Sequence, residues 1–499
     1  MITLINTSVI LRKNVASIWT EGRKLAVGFK HGDYFRVETD FDKKEVTFVR
    51  DVNGDCFVSK RTGKDGSILP LIEFKDNVLS EIFEVGMKIR IVVKEGIAVI
   101  SVHGHHNEAV KRTTRFLEKV LKGEPLQVGS LFTGGGVLDR AIHEGLKLAG
   151  VNSYLKVALE SDVRYVDALL KNQADLFRDD SIVINSLIED LEIKRDFSLE
   201  IVVCGLPCLG ASPAGKSKLK ISHAEQHPQA GNCFFHTLNF IKASNPAVVV
   251  IENVKAFESE MSFVVMESVL SHWGYDVHKT ILNSNDYGTL ENRDRLGAVA
   301  ISKELNGFSF TDFVFPLKAK ESSLNEFIVE LASDDKQWRS YDYLVTKEAS
   351  DKKAGKGFRR ALYDGSEPSI STIRRLYHKG GSCDQYLKHP DYISNGLTRK
   401  FTATEHANFK GIPLFIIDGL NSTVSHEICG QSVCYPVFFS LGYGLGLHSL
   451  KSSGLIDSFT VVANDSEVNE VTFSDDCVKE TFETVSVYLH SSSKLKEVA

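Results

Sequence analysis

The chain has 499 residues, 42% of them hydrophobic and 25% charged, and a formal net charge of −6. This is the composition of an ordinary globular protein, and at roughly 150 residues per domain its length calls for about three units. The net charge gives no support to a nucleic-acid partner, so any such surface must be local. No apolar run approaches the roughly 20 residues that span a bilayer, and Met1–Asn14 lacks the apolar core and small-residue cleavage site of a secretory leader. A cytoplasmic protein is expected. The eight cysteines contain no C-x-x-C pair, which excludes the common zinc spacings, and no metal is expected.

Residues 1–124 read as a β-rich domain. Tyr34–Thr39 and Lys88–Val93 alternate as half-buried strands do. Leu25–Phe48 and Leu79–Val102 share one plan, with Phe29-x-x-Gly32 echoed by Phe83-x-x-Gly86. The repeat resembles the paired hairpins of AbrB-like DNA-binding or antitoxin domains; a generic small β-domain is the other reading. A monomer is expected, with these hairpins the surface through which a dimer would form. Asn107–Lys122 is a charged helical segment closed by Gly123.

From Pro125 the texture becomes strand–helix alternation. Leu126–Phe132 reads as a strand, and Val137–Leu148 carries Val137, Leu138, Ala141, Ile142 and Leu146 at helical spacing. Tyr154–Leu159 is a second strand. Ile201–Cys204, Ala247–Ile251 and Leu296–Ile301 are continuous apolar runs, as strands buried on both faces are. The alternation predicts a doubly wound, mostly parallel α/β sheet. Between 303 and 395 the pattern dissolves and basic residues gather: Lys352, Lys353, Lys356, Arg359, Arg360, Arg374, Arg375 and Lys379. Periodicity returns over 396–447. The tail, 448–499, is expected to hold a peripheral strand and a helix over Asp475–Leu489.

Chemistry-bearing residues fall at strand ends. Phe132-Thr133-Gly134-Gly135-Gly136 joins the first strand to the first helix, where glycines admit close approach of a ligand to the backbone. It has neither the dinucleotide spacing nor the Gly-Lys-Ser/Thr of a phosphate loop, so it reads as a nucleoside cradle or as a tight turn without ligand. Glu160 ends the second strand, where a carboxylate can take both ribose hydroxyls; a solvated acid beside Asp162 is the alternative. Gly205-Leu206-Pro207-Cys208 closes the strand at 201–204 and opens a loop rich in Gly, Ser and Lys. A cysteine there has access and nearby positive charge, both of which favour a thiolate. Glu252 follows the run Val248–Ile251, on the same edge. Arg293 and Arg295, one residue apart before the strand at 296–301, are expected to point the same way.

In this order FTGGG, ESD at 160–162, GLPCLGASPAGK, IENV, NDYGTLENRDR, RKFTATEHANFKGIP and GQSVCYPVFFSLG resemble the cytosine-5 DNA methyltransferase family over about 125–445. The resemblance implies a class I, Rossmann-like methyltransferase domain over 125–302, a target-recognition domain over 303–395, and a return of the catalytic domain over 396–447. It implies S-adenosylmethionine as cofactor, double-stranded DNA as partner and a restriction–modification setting. It assigns Cys208 as the nucleophile that adds to cytosine C6, Glu252 as the carboxylate on the base edge, and Arg293 and Arg295 as the orienting pair. The target base must leave the duplex. Cofactor contacts fall on Phe132, Gly134, Gly136, Glu160, Asn185, Pro207, Gln431, Ser432 and Val433. DNA contacts fall on Ser212, Lys216 and Lys218 of the closing loop and on Lys352, Lys353, Arg359, Arg360, Arg374 and Arg375. Three positions depart from the family: Leu209 and Glu291 stand where Gln is usual, and Gln431 where Asn is usual. A tRNA cytosine-5 methyltransferase and a catalytically weak DNA-binding regulator are the competing readings.

Overall fold

The structure, a computed structural model, describes residues 1–193, 197–208, 210–211, 216–217, 219–457, 459–464 and 467–473. Leu209, Ser212, Lys218 and the expected helix Asp475–Leu489 lie outside the described residues. The chain forms two units, Met1–Lys111 and Arg112–Ala499.

The first unit is built from β1 (Thr3–Ser8), β2 (Ile10–Arg12), β3 (Val15–Glu21), β4 (Tyr34–Asp40), β5 (Glu45–Arg50), β6 (Cys56–Phe57), β7 (Ser59–Thr62), β8 (Ile68–Lys75), the short helix α1 (Val78–Ile82), β9 (Lys88–Lys94) and β10 (Ile97–Val102). They form a six-stranded sheet, β1-β9-β10-β5-β4-β6, and a four-stranded sheet, β2-β3-β8-β7. The sequence repeat is a structural repeat. Leu25, Phe29, Leu79 and Phe83 are all buried. Gly32 and Gly86 both turn the chain at φ near +90° before the hairpins β4–β5 and β9–β10, a conformation that favours glycine. Equivalent strands of the two halves pair with each other, β3 with β8 and β5 with β10.

The division between units falls inside α2 (Gly104–Leu121) rather than at 124. The reason is the helix's second half. Arg112 is buried, lies 3.7 Å from the centroid of the Tyr275 ring, and donates to the Gly274 carbonyl at 2.6 Å and to Ser302 Oγ at 3.0 Å. Arg115 and Lys119 both grip the buried carboxylate of Glu200.

The second unit continues with β11 (Leu126–Leu131), α3 (Val137–Leu148), β12 (Ser153–Glu160), α4 (Val163–Asn172), β13 (Ile182–Asn185), β14 (Ile201–Gly205), α5 (Cys233–Ser244), β15 (Val248–Val254), α6 (Met261–His272), β16 (Tyr275–Asn283), β17 (Glu291–Asn292) and β18 (Asp294–Ser302). Its seven-stranded sheet has the order β13-β12-β11-β14-β15-β18-β16. The first five strands are parallel, but β18 runs antiparallel to both its neighbours. Alternation along each strand feeds two cores. Val203, Val248 and Val250 face one, with α3; Val202, Cys204, Val249 and Ile251 face the other, with α5 and α6. This is why the strands read as unbroken apolar runs.

After β18 come α7 (Asp342–Lys353), β19 (Ala361–Tyr363), β20 (Ile370–Ser371), β21 (Gln385–Lys388), β22 (Thr398–Arg399), α8 (Ala403–Phe409), α9 (Ser422–Gln431), α10 (Tyr435–Ser452) and a hairpin of β23 (Phe459–Asn464) and β24 (Glu467–Phe473). The expected segment 303–395 does not close on itself. β20 pairs with β17, and Leu290, Ile370, Tyr377, Phe401 and Phe409 share one small core. The Gly-rich helix α10 continues past 447 to Ser452 and lies flush on α3. A Cβ on Gly442 would stand 2.5 Å from the Ile142 carbonyl oxygen, and one on Gly145 2.3 Å from that of Phe439. Gly442→Ala should therefore destabilise this unit by about 1–3 kcal/mol, measured by denaturant unfolding; an unchanged midpoint would show that the helices can part at no cost.

Candidate active site

The carboxyl edge of the sheet gathers the strand-end residues. β11 ends at Leu131, and Phe132 follows with φ 60°, a left-handed conformation rare for a bulky residue and one that clusters at functional sites. Gly134 and Gly136 also have positive φ, and a Cβ on Gly134 would lie 3.1 Å from the Gln431 amide. A Cβ on Gly135 would meet Ile428 at 2.7 Å and one on Gly136 would meet Leu169 at 2.5 Å, so the close approach these glycines permit is taken by the protein's own side chains, which form a cradle around the turn. Glu160, at the end of β12, accepts from the Gly134 N–H at 2.8 Å with one oxygen and from the Asp162 N–H at 2.8 Å with the other. The second oxygen also accepts from Ser161 Oγ at 3.3 Å, so the carboxylate is fixed in place and its Gly134-bound oxygen is still able to accept. Asn185 is the register partner of Glu160 at the end of β13, but its amide donates to the Glu160 and Ser161 carbonyls. Ser432 is turned back onto the Cys429 carbonyl, and Val433 is buried. Of the three residues at 431–433, Gln431 is the one beside the glycines.

Sequence reasoning missed what props this cradle. Gln173 Nε2 donates to the Gly135 carbonyl, Arg140 Nε donates to Gln173 Oε1 at 3.0 Å, and Arg140 is itself paired with Asp175. These residues are scattered over α3 and the end of α4, so no local pattern marks them.

On the other side of β11, Gly205 and Glu252 are register partners on β14 and β15. The Leu206 carbonyl accepts from the buried Asn253 side chain at 3.3 Å, tying the loop of Cys208 to β15, and the Cys208 carbonyl accepts from Ala211 N–H in a tight turn. Cys208 is half-buried and Cys204, inside its strand, fully so. Arg295 Nε lies 2.9 Å from Glu252 Oε1, with both side chains largely shielded from water. Arg293 does not share that contact. Its guanidinium donates to Glu291 Oε1 and to the Gly430 carbonyl, each at 3.3 Å. The two arginines are thus divided between the thiol's surroundings and a support behind them.

Burial decides the protonation of this group. The Cys208 thiol is pushed up from its ordinary value by desolvation, opposed by the charges of Arg295 and Arg293 and reinforced by Glu252. The expected lowering of this thiol is not found in the free protein, because loss of water outweighs the arginines. The Glu252 carboxyl is also raised, by burial first, against the pull of Arg295, Arg293 and Lys410.

The expected DNA-contacting residues are not equivalent. Lys352, Lys353 and Arg359 are exposed. Arg360 is paired with Glu348 at 2.7 Å and Arg374 with the buried Asp384 at 2.6 Å. Arg375 lies over the Tyr165 ring, 4.0 Å from Asp162 and so on the Glu160 side of the sheet. Lys216 pairs with Glu260. Sequence alone did not show these partners. Among the described residues no cluster of His, Cys, Asp and Glu could hold a metal, and no helix is long and apolar enough to cross a membrane.

A glycine turn, a strand-end glutamate and a cysteine–carboxylate–guanidinium group lie on one edge of a mixed α/β sheet. Residues 126–446 match the family model of the C-5 cytosine-specific DNA methylases, and the chain belongs to that family. It is 28% identical over 251 residues to the type II methyltransferase M1.ScrFI of Lactococcus lactis subsp. cremoris, covering 48% of this chain and 61% of that protein. It thus spans about three fifths of that relative's length. It is 28% identical over 327 residues to M.Bsp6I of Bacillus sp. (strain RFL6), covering 62% and 96%. The crystal structure of the S. pombe Dnmt2 methyltransferase superposes with a TM-score of 0.51 at 18% identity, covering 66% of this chain and 99% of that one; the likeness is one of fold.

The raised thiol has a direct test. An acid whose value is raised stays protonated to higher pH, so alkylation of Cys208 by iodoacetamide should rise through a midpoint above that of an ordinary thiol. Arg295→Ala should move the midpoint higher still, since it removes the largest charge favouring the thiolate. Peptide mass mapping across a pH series reads both, and a midpoint at or below the ordinary thiol value would contradict the assignment.

Proposed function

We propose that the chain is a DNA (cytosine-5)-methyltransferase acting through Cys208. The observation that carries the reading is the convergence of Cys208, Glu252 and Arg295 on the sheet edge that also holds the Gly134–Glu160 cradle. The turn and Glu160 are where S-adenosylmethionine would be held: Glu160 Oε2 retains acceptor capacity for a ribose hydroxyl, and Gln431 lies against Gly134. When bound, that cofactor supplies an electrophilic methyl group.

The remaining chemistry falls to the chain's own residues. Cytosine C5 is a poor nucleophile. Addition of the Cys208 thiolate to C6 forms the S–C6 bond and moves electron density to C5, which then takes the methyl group. The raised Glu252 carboxyl suits a group that gives a proton, or a hydrogen bond, to the ring nitrogen on which charge develops. Arg295 holds Glu252 in place and lies near the thiol. Loss of the C5 proton to a base then expels the thiolate and restores the ring. A base stacked in a duplex is out of reach, so the cytosine is flipped into the edge. The exposed cations Lys352, Lys353 and Arg359 support contact with the phosphate backbone. The type II methyltransferases among the relatives support placing the chain in a restriction–modification system.

Incubation with labelled S-adenosylmethionine should place label in unmethylated duplex DNA, and bisulfite sequencing should give the target site. Label in tRNA instead would favour the RNA-directed reading, and no transfer to either would favour a regulator. Duplex carrying 5-fluorocytosine at the target should trap a denaturation-resistant complex; equal trapping by Cys208→Ser would refute the nucleophile.

The charge pairing predicts which cations matter for DNA. Neutralising Lys352, Lys353 and Arg359 should flatten the salt dependence of binding, by roughly one unit of slope for each phosphate that these side chains engage. Neutralising Arg360, already paired, should leave the slope in place. The converse pattern would move the DNA surface elsewhere.

A further inference from the structure

Behind the proposed site lies a buried ion pair that the functional reading does not use. Lys410 Nζ donates to Glu291 Oε1 at 3.0 Å, and both side chains are 0% exposed. The same Glu291 oxygen accepts from Arg293, whose other nitrogen reaches the Gly430 carbonyl. Three segments meet here: β17, the residue after α8, and the last turn of α9. A charge buried this deeply stays ionised only when paired: without Glu291 both Lys410 and Arg293 lose their anion, and without Lys410 the carboxylate is left to Arg293 alone.

We propose that Glu291 and Lys410 form a single positioning unit for the active edge, one that fixes Arg293 and sets the charge around Cys208. The inference rests on the methyltransferase reading. Arg293 is the link, because it contacts the pair and is felt by both Cys208 and Glu252. The charged groups facing Cys208 are Arg295, Glu252 and Arg293. Those facing Glu252 are Arg295, Arg293 and Lys410. The pair is faced by Arg293, by the thiols of Cys429 and Cys434 and, on the Lys410 side, by His406. Beside Cys208, Arg293 and Arg295 exceed Glu252 by one charge when Glu252 is ionised and by two when it carries its proton, an excess that favours the Cys208 thiolate. The pair itself adds nothing to that excess. Either half alone changes it, in opposite directions.

The sign of that change gives the test. The rate of trapping on 5-fluorocytosine duplex, at saturating DNA and S-adenosylmethionine, should rise with pH as the thiolate forms. Glu291→Gln removes an anion and should move this limb to lower pH; Lys410→Gln removes a cation and should move it to higher pH. Each should lower kcat by about tenfold or more while KM for DNA changes little, since Arg293 loses its anion in the first and becomes the sole cation on Glu291 in the second, and shifts in both. The double variant E291Q/K410Q should return the limb to its wild-type position and kcat to within about threefold, as coupled residues do in a double-mutant cycle. A role in folding alone predicts lower melting temperatures with the limb unmoved, and that result overturns the proposal. Where a single variant does not fold, the double variant and Lys410→Arg, which keeps the cation, decide: a displaced limb in either overturns it. Wild-type protein that fails to trap overturns the methyltransferase reading as well, whereas trapping with unmoved limbs overturns this inference alone.

Discussion

The direction of one strand makes the site. In a sheet of parallel strands, residues that follow a strand share one edge and residues that precede it lie at the opposite edge. Cys208 lies beyond the end of β14 and Glu252 in the last residues of β15, while Arg293 precedes β18 and Arg295 is its second residue. They can meet only if the arginine strand is reversed, and β18 is: Val254 pairs with Arg295 and Glu252 with Gly297. The Arg295–Glu252 contact at 2.9 Å is the product of that reversal. Had β18 been one more parallel strand, the arginines would stand a full strand length from the thiol.

Much of the fold was legible in the sequence because burial on both faces leaves an unmistakable signature. Ile201–Cys204 and Val248–Ile251 admit no polar residue because alternate side chains feed two different cores. The bounds of α3 were readable from helical spacing alone, and the paired Phe-x-x-Gly turns announced the duplication in the first unit. Strand direction was not legible. It depends on β16 (Tyr275–Asn283), an edge strand whose partly exposed, mixed sequence carries little signal. β16 takes the chain past β15's neighbour position and returns it through the turn at 284–290, so β18 enters between them running backwards. No local preference of residues 294–302 encodes this.

The site was legible in its residue types and less so in its electrostatics. A cysteine beside lysines suggests a thiolate, yet the thiol of the free protein is pushed the other way, since desolvation at a sheet edge outweighs two arginines. The basic stretch at 352–375 looked like one patch. Its cations differ instead in their partners: Arg360 and Arg374 are held by Glu348 and Asp384, 12 and 10 residues away in sequence, and Arg375 faces Asp162. Positive charge counted along a chain overstates positive potential whenever carboxylates fold back onto it.

Lys410 shows how such partners could be found. It stands between Phe409 and Gly411 in a run whose apolar neighbours, Ala407, Phe409 and Ile412, are all buried. A lysine in that setting requires an anion, and Glu291, in place of the glutamine usual to the family, is an acid in an equally buried position. Each residue alone looks like a fault in an apolar or neutral surrounding. Together they are neutral, and they hold the arginine whose neighbour, two residues on, faces the thiol. The acid at 291 and the lysine at 410 are therefore one feature of the structure, an ion pair, and not two separate departures.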